Sequence, residues 1–158
     1  MKYKIILLVS DINMLLNDFL NFNKTVRAVI VDGSHLLLCR EKGSRWHFLP
    51  GWRVDYREKI EKALAKNVEQ NFMAKIEHIK YIGATSTSYQ IDRYKTRQDF
   101  DLIYLVRLPE HIDISENGEI EFVWHPVDEI RKQNIAPRIL KDKLAKWFQD
   151  QEFFWAST

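Results

Sequence analysis

The sequence predicts an α/β layered domain with a mixed sheet, preceded by a strand-helix extension. Three observations carry this expectation. Runs of β-branched and aromatic residues alternate with stretches of helical apolar spacing, and a turn dipeptide joins two strands early in the chain. At 158 residues and 46% hydrophobic, the chain can bury one core but not two of ordinary size. Residues 1–24 are read as an extension packed on the domain and residues 25–158 as the domain itself, with no repeat, low-complexity tract or linker between them.

Residues 3–9 read as a strand. Ser10 and Asp11 then offer a helix cap, after which Ile12, Leu15, Leu16, Phe19 and Leu20 recur at helical spacing. The other side of that helix carries Asn13, Asn17, Asp18 and Asn21, so its apolar side should dock on the chain's own core or, alternatively, on a second copy. A hairpin follows: residues 25–31 are a β-branched run, Asp32-Gly33 supplies the turn, and residues 36–40 return. Residues 46–49 suggest a short strand ending at Pro50-Gly51, and from Glu58 onward Ile60, Leu64, Val68 and Phe72 mark a helix. Further strands are expected over 76–85, 100–106 and 119–125. Pro137 suits the first turn of a closing helix that places Leu140, Leu144, Trp147 and Phe148 on one side. The apolar tail Phe153-Phe154-Trp155 is explained most simply by packing, with contact to another chain as the alternative.

Composition narrows the partners. Lys plus Arg number 24 against 22 for Asp plus Glu, a net of +2, which is too weak a field to grip nucleic acid along its length but leaves room for a local basic contact. The one cysteine, Cys39, permits no internal disulfide and points to a reducing compartment, where it would serve as a small buried hydrophobe. The apolar stretch at 5–9 is too short for the centre of an export signal, and no stretch approaches a bilayer span. No membrane partner is therefore expected, and the location is expected to be cytoplasmic. The five histidines show no metal-ligand spacing, and no Ser/His/Asp or Cys/His arrangement is visible.

The stretch 46–74, WHFLPGWRVDYREKIEKALAKNVEQNFMA, resembles the Nudix box, G-x5-E-x7-R-E-U-x-E-E-x-G-U with U a bulky aliphatic. Leu49-Pro50-Gly51 is similar to the strand-end LPG that leads into the box, and Val54-Asp55 to the V-E that follows. Glu58 falls on the first box glutamate, and Ala63-Leu64 on the A-L before the R-E pair. Residues 26–40 resemble the family's opening hairpin, and residues 121–130 its late strand and turn, so the similarity covers most of 25–144. It implies a Nudix-like α/β/α sandwich with a mixed β-sheet.

The departures concern glycine and charge. Trp52 stands where the family has its second glycine, Lys66 where it has arginine, and Met73 where it has the late glycine. Asn67, Gln70 and Asn71 occupy the three glutamate positions that, in the family, bind divalent cations. At roughly 100° per residue these three fall within about a third of the helix circumference, beside the buried stripe of Leu64, Val68 and Phe72. Partly shielded amides there should hydrogen-bond backbone or one another. Carboxylates in that patch would collect Mg²⁺, a hard cation that wants charged oxygens; neutral amides cannot offset its dehydration in the same way. Glu69 lies about 200° around from Asn67 and cannot substitute.

The resulting expectation is a Nudix-fold protein that has lost metal-dependent hydrolysis and binds a nucleotide-like ligand or a protein partner. No cofactor is expected, and no metal at Gly51, Asn67, Gln70 and Asn71, where the resemblance would place one. The candidate ligand-binding residues are Arg40, Trp46, Arg53 and Tyr89. The basic ones would meet phosphates and the aromatic ones would stack on a base; a solvated loop or a cleft wall is the plainer role. Two alternatives stand beside this. One is an active Mg²⁺- or Mn²⁺-dependent pyrophosphohydrolase acting on nucleoside diphosphates linked to another moiety, with Glu58 and Asp99 as catalytic residues and Glu121 in support. The other is a homodimer or larger assembly formed through the N-terminal helix.

Overall fold

The computed structural model describes residues 22–158 apart from 56, 113 and 115–117. The strand and helix expected within 1–21 lie outside the described residues. The apolar and β-branched runs form β1 (Phe22–Asp32), β2 (His35–Glu41), β3 (Gly51–Arg53), β4 (His78–Gln90), β5 (Thr96–Arg107), β6 (Ile120–Pro126) and β7 (Phe154–Ser157). They make one seven-stranded sheet in the order β6-β2-β1-β5-β4-β7, with β3 paired to β1. The sheet is mixed: β1 runs parallel to β5 and β7 parallel to β4, while the remaining neighbours are antiparallel.

Strand alternation sends successive side chains to opposite faces. Val29, Leu36, Leu38, Ile103 and Leu105 join one buried cluster, and Ala28, Ile30, Leu37, Tyr104 and Val106 join another. Helix α1 (Ile60–Phe72) covers the second cluster through Ala63, Leu64 and Val68. Helix α2 (Arg138–Asp150) covers the first through Leu140, Leu144 and Trp147, beside a 3-10 helix at Val127–Lys132. The chain is thus a three-layer α/β/α sandwich with a mixed sheet, as the sequence predicts.

Several boundaries differ, each for a physical reason. The hairpin loop is Gly33-Ser34 rather than Asp32-Gly33, because Asp32 still pairs with His35. Residues 46–49 form no strand: Phe48 bridges Cys39 while His47 bridges Ile135, so neighbouring residues bond different partners and no ladder develops. Proline at 50 has no N–H to extend such a ladder, and its carbonyl instead accepts from the Ala28 N–H at 2.8 Å. Arg138, not Pro137, begins the closing helix, with Pro137 at the N-cap. The apolar tail is a strand. Phe154 fits because Gly83 opposite has no side chain; a Cβ there would lie 2.7 Å from the Phe154 carbonyl oxygen. Phe153 and Trp155 remain exposed, against Tyr81 and Phe100 respectively.

Helix α1 ends at Met73, which adopts a left-handed backbone conformation at φ 52°. Glycine is the residue that suits this position, because a Cβ there crowds the following carbonyl. Met73 is 90% exposed, so no packing compensates. Met73→Gly is expected to stabilise the protein by about 1 kcal/mol. A urea midpoint that failed to rise would show that the turn is not strained.

On the α2 side His47 and His125 meet edge to face, with ring centroids 4.7 Å apart. Both ring nitrogens of His47 and Nε2 of His125 are buried without a hydrogen-bond partner. Burial lowers both pKa values from 6.5, and His125 and Arg40 lower that of His47 further. Arg40 also lowers His125, whereas Glu129 opposes the shift. The unfolded chain therefore takes up protons on these rings at higher pH than the folded one. The sign follows: stability is full above the unfolded value of 6.5 and is lost as pH falls through the lower folded values. The melting temperature should fall on acidification below that pH, and His47→Leu or His125→Phe should shallow the fall. An equally steep acid limb in both variants would exclude this pair as its origin.

Candidate functional site

The segment linking β2 to α1 passes over β1. It runs through Pro50 into β3, where Gly51 pairs with Arg27 and Trp52 with Val26. The Arg27 side chain crosses beneath this turn: its Nε donates to Asp101 Oδ1 at 2.9 Å and its Nη1 to the Leu49 carbonyl at 3.3 Å. Asp101 is buried, and Thr85 Oγ1 donates to its other oxygen at 3.4 Å. A Cβ at position 51 would lie 2.5 Å from Arg27 Cδ, so the glycine here is required by the guanidinium stem and not by an unusual backbone angle.

Between this turn, the flank of α1 and β6 lies a cleft of about 490 Å³. Phe48, Trp52, Phe72 and Phe122 supply its aromatic walls, Cys39 lines it from β2, and Gln70 and Asn71 line it from the helix. Burial pushes the Cys39 thiol up to about 12, an effect the Arg27 charge only partly offsets, so at neutral pH it is a packed thiol and not a nucleophile.

Two of the three amide side chains on the helix flank, Asn67 and Asn71, bond the helix itself. Asn67 Nδ2 donates to the Ala63 carbonyl at 2.7 Å, and Asn71 Nδ2 to the Asn67 carbonyl at 2.8 Å. A carboxylate could not make either bond, since it would set oxygen against oxygen. For Asn67 and Asn71 these contacts match the sequence expectation that the amides bond backbone or one another. They leave neutral carbonyl oxygens for any ligand. Glu58, in the loop before α1, lies 3.9 Å from the largely exposed Lys66 ammonium on the helix. Among the described residues no three His, Cys, Asp or Glu side chains gather as a metal-holding group. Mg²⁺ is usually held through one or two carboxylates, so the neutral amides at positions 67, 70 and 71 are a poor fit for it.

The other sequence-derived candidates are dispersed. Asp99 accepts from Asn23 Nδ2 and from the Tyr89 hydroxyl, both at 2.9 Å. It shares a strand face with Asp101 and Ile103, the face that carries the α2-side cluster, whereas the amide flank belongs to α1 on the opposite side. Tyr89 and Asp99 are thus brought together, but away from Asn67 and Asn71. Arg40 donates to Glu121 Oε2 at 2.7 Å. Trp46, 39% exposed, lies under the Arg138 guanidinium at 5.2 Å. Arg53 is exposed on β3 opposite Thr25. Local sequence pattern does not reveal the pairing of Arg27 with Asp101. Their signal was opposite charges beside the apolar stretches of two strands, but the β1–β5 pairing that joins them is not written in local pattern.

The three layers, together with a loop and helix that carry the box frame, define a class of protein that comparison makes explicit. The family model of the NUDIX domain matches residues 21–148. Among solved structures, the MutT protein of Bacillus halodurans is similar with a TM-score of 0.72 at 14% identity, over 85% of this chain and 88% of that one. A NUDIX hydrolase from Nitrosomonas europaea matches with a TM-score of 0.61 at 17% identity, over 84% of this chain and 91% of that one. An ADP-ribose pyrophosphatase from Streptococcus suis matches with 0.59 at 16% identity, over 86% of this chain and 98% of that one. At such identities these likenesses establish the fold. A comparison with curated proteins finds no match. The chain belongs to the NUDIX domain family.

The buried Asp101 makes the Arg27 pair directly testable. Asp101→Leu alone strands the guanidinium and should cost about 3 kcal/mol, while the double variant with Arg27→Met should recover most of that loss. Equal destabilisation in the single and double variants, read by urea denaturation, would mean the two charges do not act together.

Proposed function

We propose that this Nudix-family chain binds a nucleotide-like ligand in the cleft beside α1 and has given up metal-dependent hydrolysis. The observation that supports this most directly is the bonding of Asn67 and Asn71. Their N–H groups are engaged by the Ala63 and Asn67 carbonyls, and what they offer outward carries no negative charge. Glu58, the box glutamate that remains, has a lysine beside it. Solved relatives of the same fold include an ADP-ribose pyrophosphatase and a UDP-X diphosphatase, which motivates the choice of nucleotide-like ligand. Among the described residues no helix is long and apolar enough to cross a membrane, in keeping with a ligand taken from solution.

The test compares the parent chain with the variant Asn67→Glu, Gln70→Glu, Asn71→Glu, each given ADP-ribose and nucleoside diphosphates with Mg²⁺ or Mn²⁺. The parent should release no product above background, and the triple variant should gain metal-dependent turnover. Steady turnover by the parent, little changed in the variant, would favour instead a hydrolase that does not depend on carboxylates at these three positions.

One observation favours a second reading, self-assembly: among the described residues β7 is an edge strand of the sheet, and Trp155 on it and Phe153 just before it are 49% and 60% exposed. Light scattering of the full chain beside Phe153→Ser and Trp155→Ser would show a drop in mass if this edge joins two copies, and an unchanged monomeric mass would remove the reading.

A further inference from the structure

We infer that the cleft accepts the uncharged planar ring of its ligand, a nucleobase or a heterocycle of that kind, and that phosphate adds nothing to affinity there. This rests on the ligand-binding reading above and specifies which end of the ligand the cleft receives.

The lining chemistry carries the argument. None of the described side chains that line the cleft is charged. An anionic phosphate entering it would shed water against phenylalanine and tryptophan surfaces with no cation to receive it, a large cost. An aromatic ring loses little by the same transfer and gains stacking surface. The wall is also pre-organised. Phe72 stands edge-on to Phe122, with centroids 5.3 Å apart at 79°, and to Trp52, at 6.4 Å and 74°. Each ring limits the tilt of the next.

Polar recognition comes from the helix flank. A primary amide presents a donor and an acceptor side by side, the same alternation found along a base edge. Gln70 is exposed on the cleft rim, while Asn71, its Nδ2 engaged by Asn67, retains an acceptor oxygen. Three departures from the box pattern therefore act in one direction. Trp52 adds a face where the pattern has glycine, and Gln70 and Asn71 replace charge with neutral hydrogen-bonding groups. The cleft volume, about 490 Å³, is within the range of small-ligand sites.

The experiment is calorimetric titration of the full chain, without divalent metal, using adenosine, guanosine, cytidine and uridine and the 5′-diphosphate of each. At least one nucleoside should bind, and its diphosphate should bind no more than about threefold tighter, since stacking and not charge supplies the affinity. Trp52→Gly should weaken that nucleoside by about tenfold or more, and Trp52→Phe should restore most of the loss. Gln70→Ala, at an exposed position that leaves the fold intact, should change the preference among the bases; it serves as the second variant if Trp52→Gly fails to fold. A diphosphate that binds where no nucleoside does would overturn the ring assignment while leaving the nucleotide-like reading in place. Failure of every nucleoside and every diphosphate to bind would overturn both. Nucleoside binding that neither Trp52 nor Gln70 variants alter would place the site elsewhere and overturn the assignment.

Discussion

The Arg27 guanidinium is where the architecture of this protein converges. Its contacts reach Asp101 on β5, the Leu49 carbonyl ahead of the turn, and the space above Gly51 that a side chain would otherwise fill. Because β1 also pairs with β2, β3 and β5, the residue sits on the strand that organises the sheet. An ion pair with one buried partner, as here, is a weak source of net stability, since desolvating the charges costs much of what their attraction returns. What it supplies is position. With Arg27 held by Asp101, the loop carrying Leu49, Pro50 and Gly51 has one place to lie, and the mouth of the cleft is set by that loop.

From this anchored loop to the flank of α1, the region that would carry anionic charge in a metal-dependent enzyme is neutral. Asn67 and Asn71 lean back onto the helix and satisfy carbonyls one turn earlier. The same region gains aromatic surface from Trp52 and keeps Glu58 beside Lys66. The scaffold of the box is retained while positions 67, 70 and 71 are neutral, which is physically coherent: helix packing depends on Leu64 and Val68, neither of which requires a carboxylate at those three positions. Fold does not by itself fix activity, because different side chains on one helix can serve the two.

Much of the fold was legible because its signals are local. Ile60, Leu64, Val68 and Phe72 mark the inward side of α1, and Leu140, Leu144 and Trp147 that of α2, at spacings the helix imposes. The alternation within β1 and β2 is equally plain, although both clusters receive residues from each strand, which signals a sheet covered on both faces. The tail was harder. Phe153-Phe154-Trp155 is too short to show a period, and the reason it can pair is a glycine at position 83, far away in sequence. Likewise the strand expected at 46–49 fails because Phe48 and His47 bridge different partners, a fact that depends on where Cys39 and Ile135 come to rest.

By itself the sequence determined the layered class, the covered faces of both helices and the loss of charge at positions 67, 70 and 71, since side-chain identity and helical spacing are properties of the chain alone. Only the tertiary structure decided which distant groups share an environment. It paired Arg27 with Asp101, placed Asp99 with Tyr89 on the sheet face away from α1, and enclosed His47 with His125. It also gathered Phe48, Trp52, Phe72 and Phe122 around one cleft. Contacts of that kind follow from strand order and layer packing, which no window of neighbouring residues encodes.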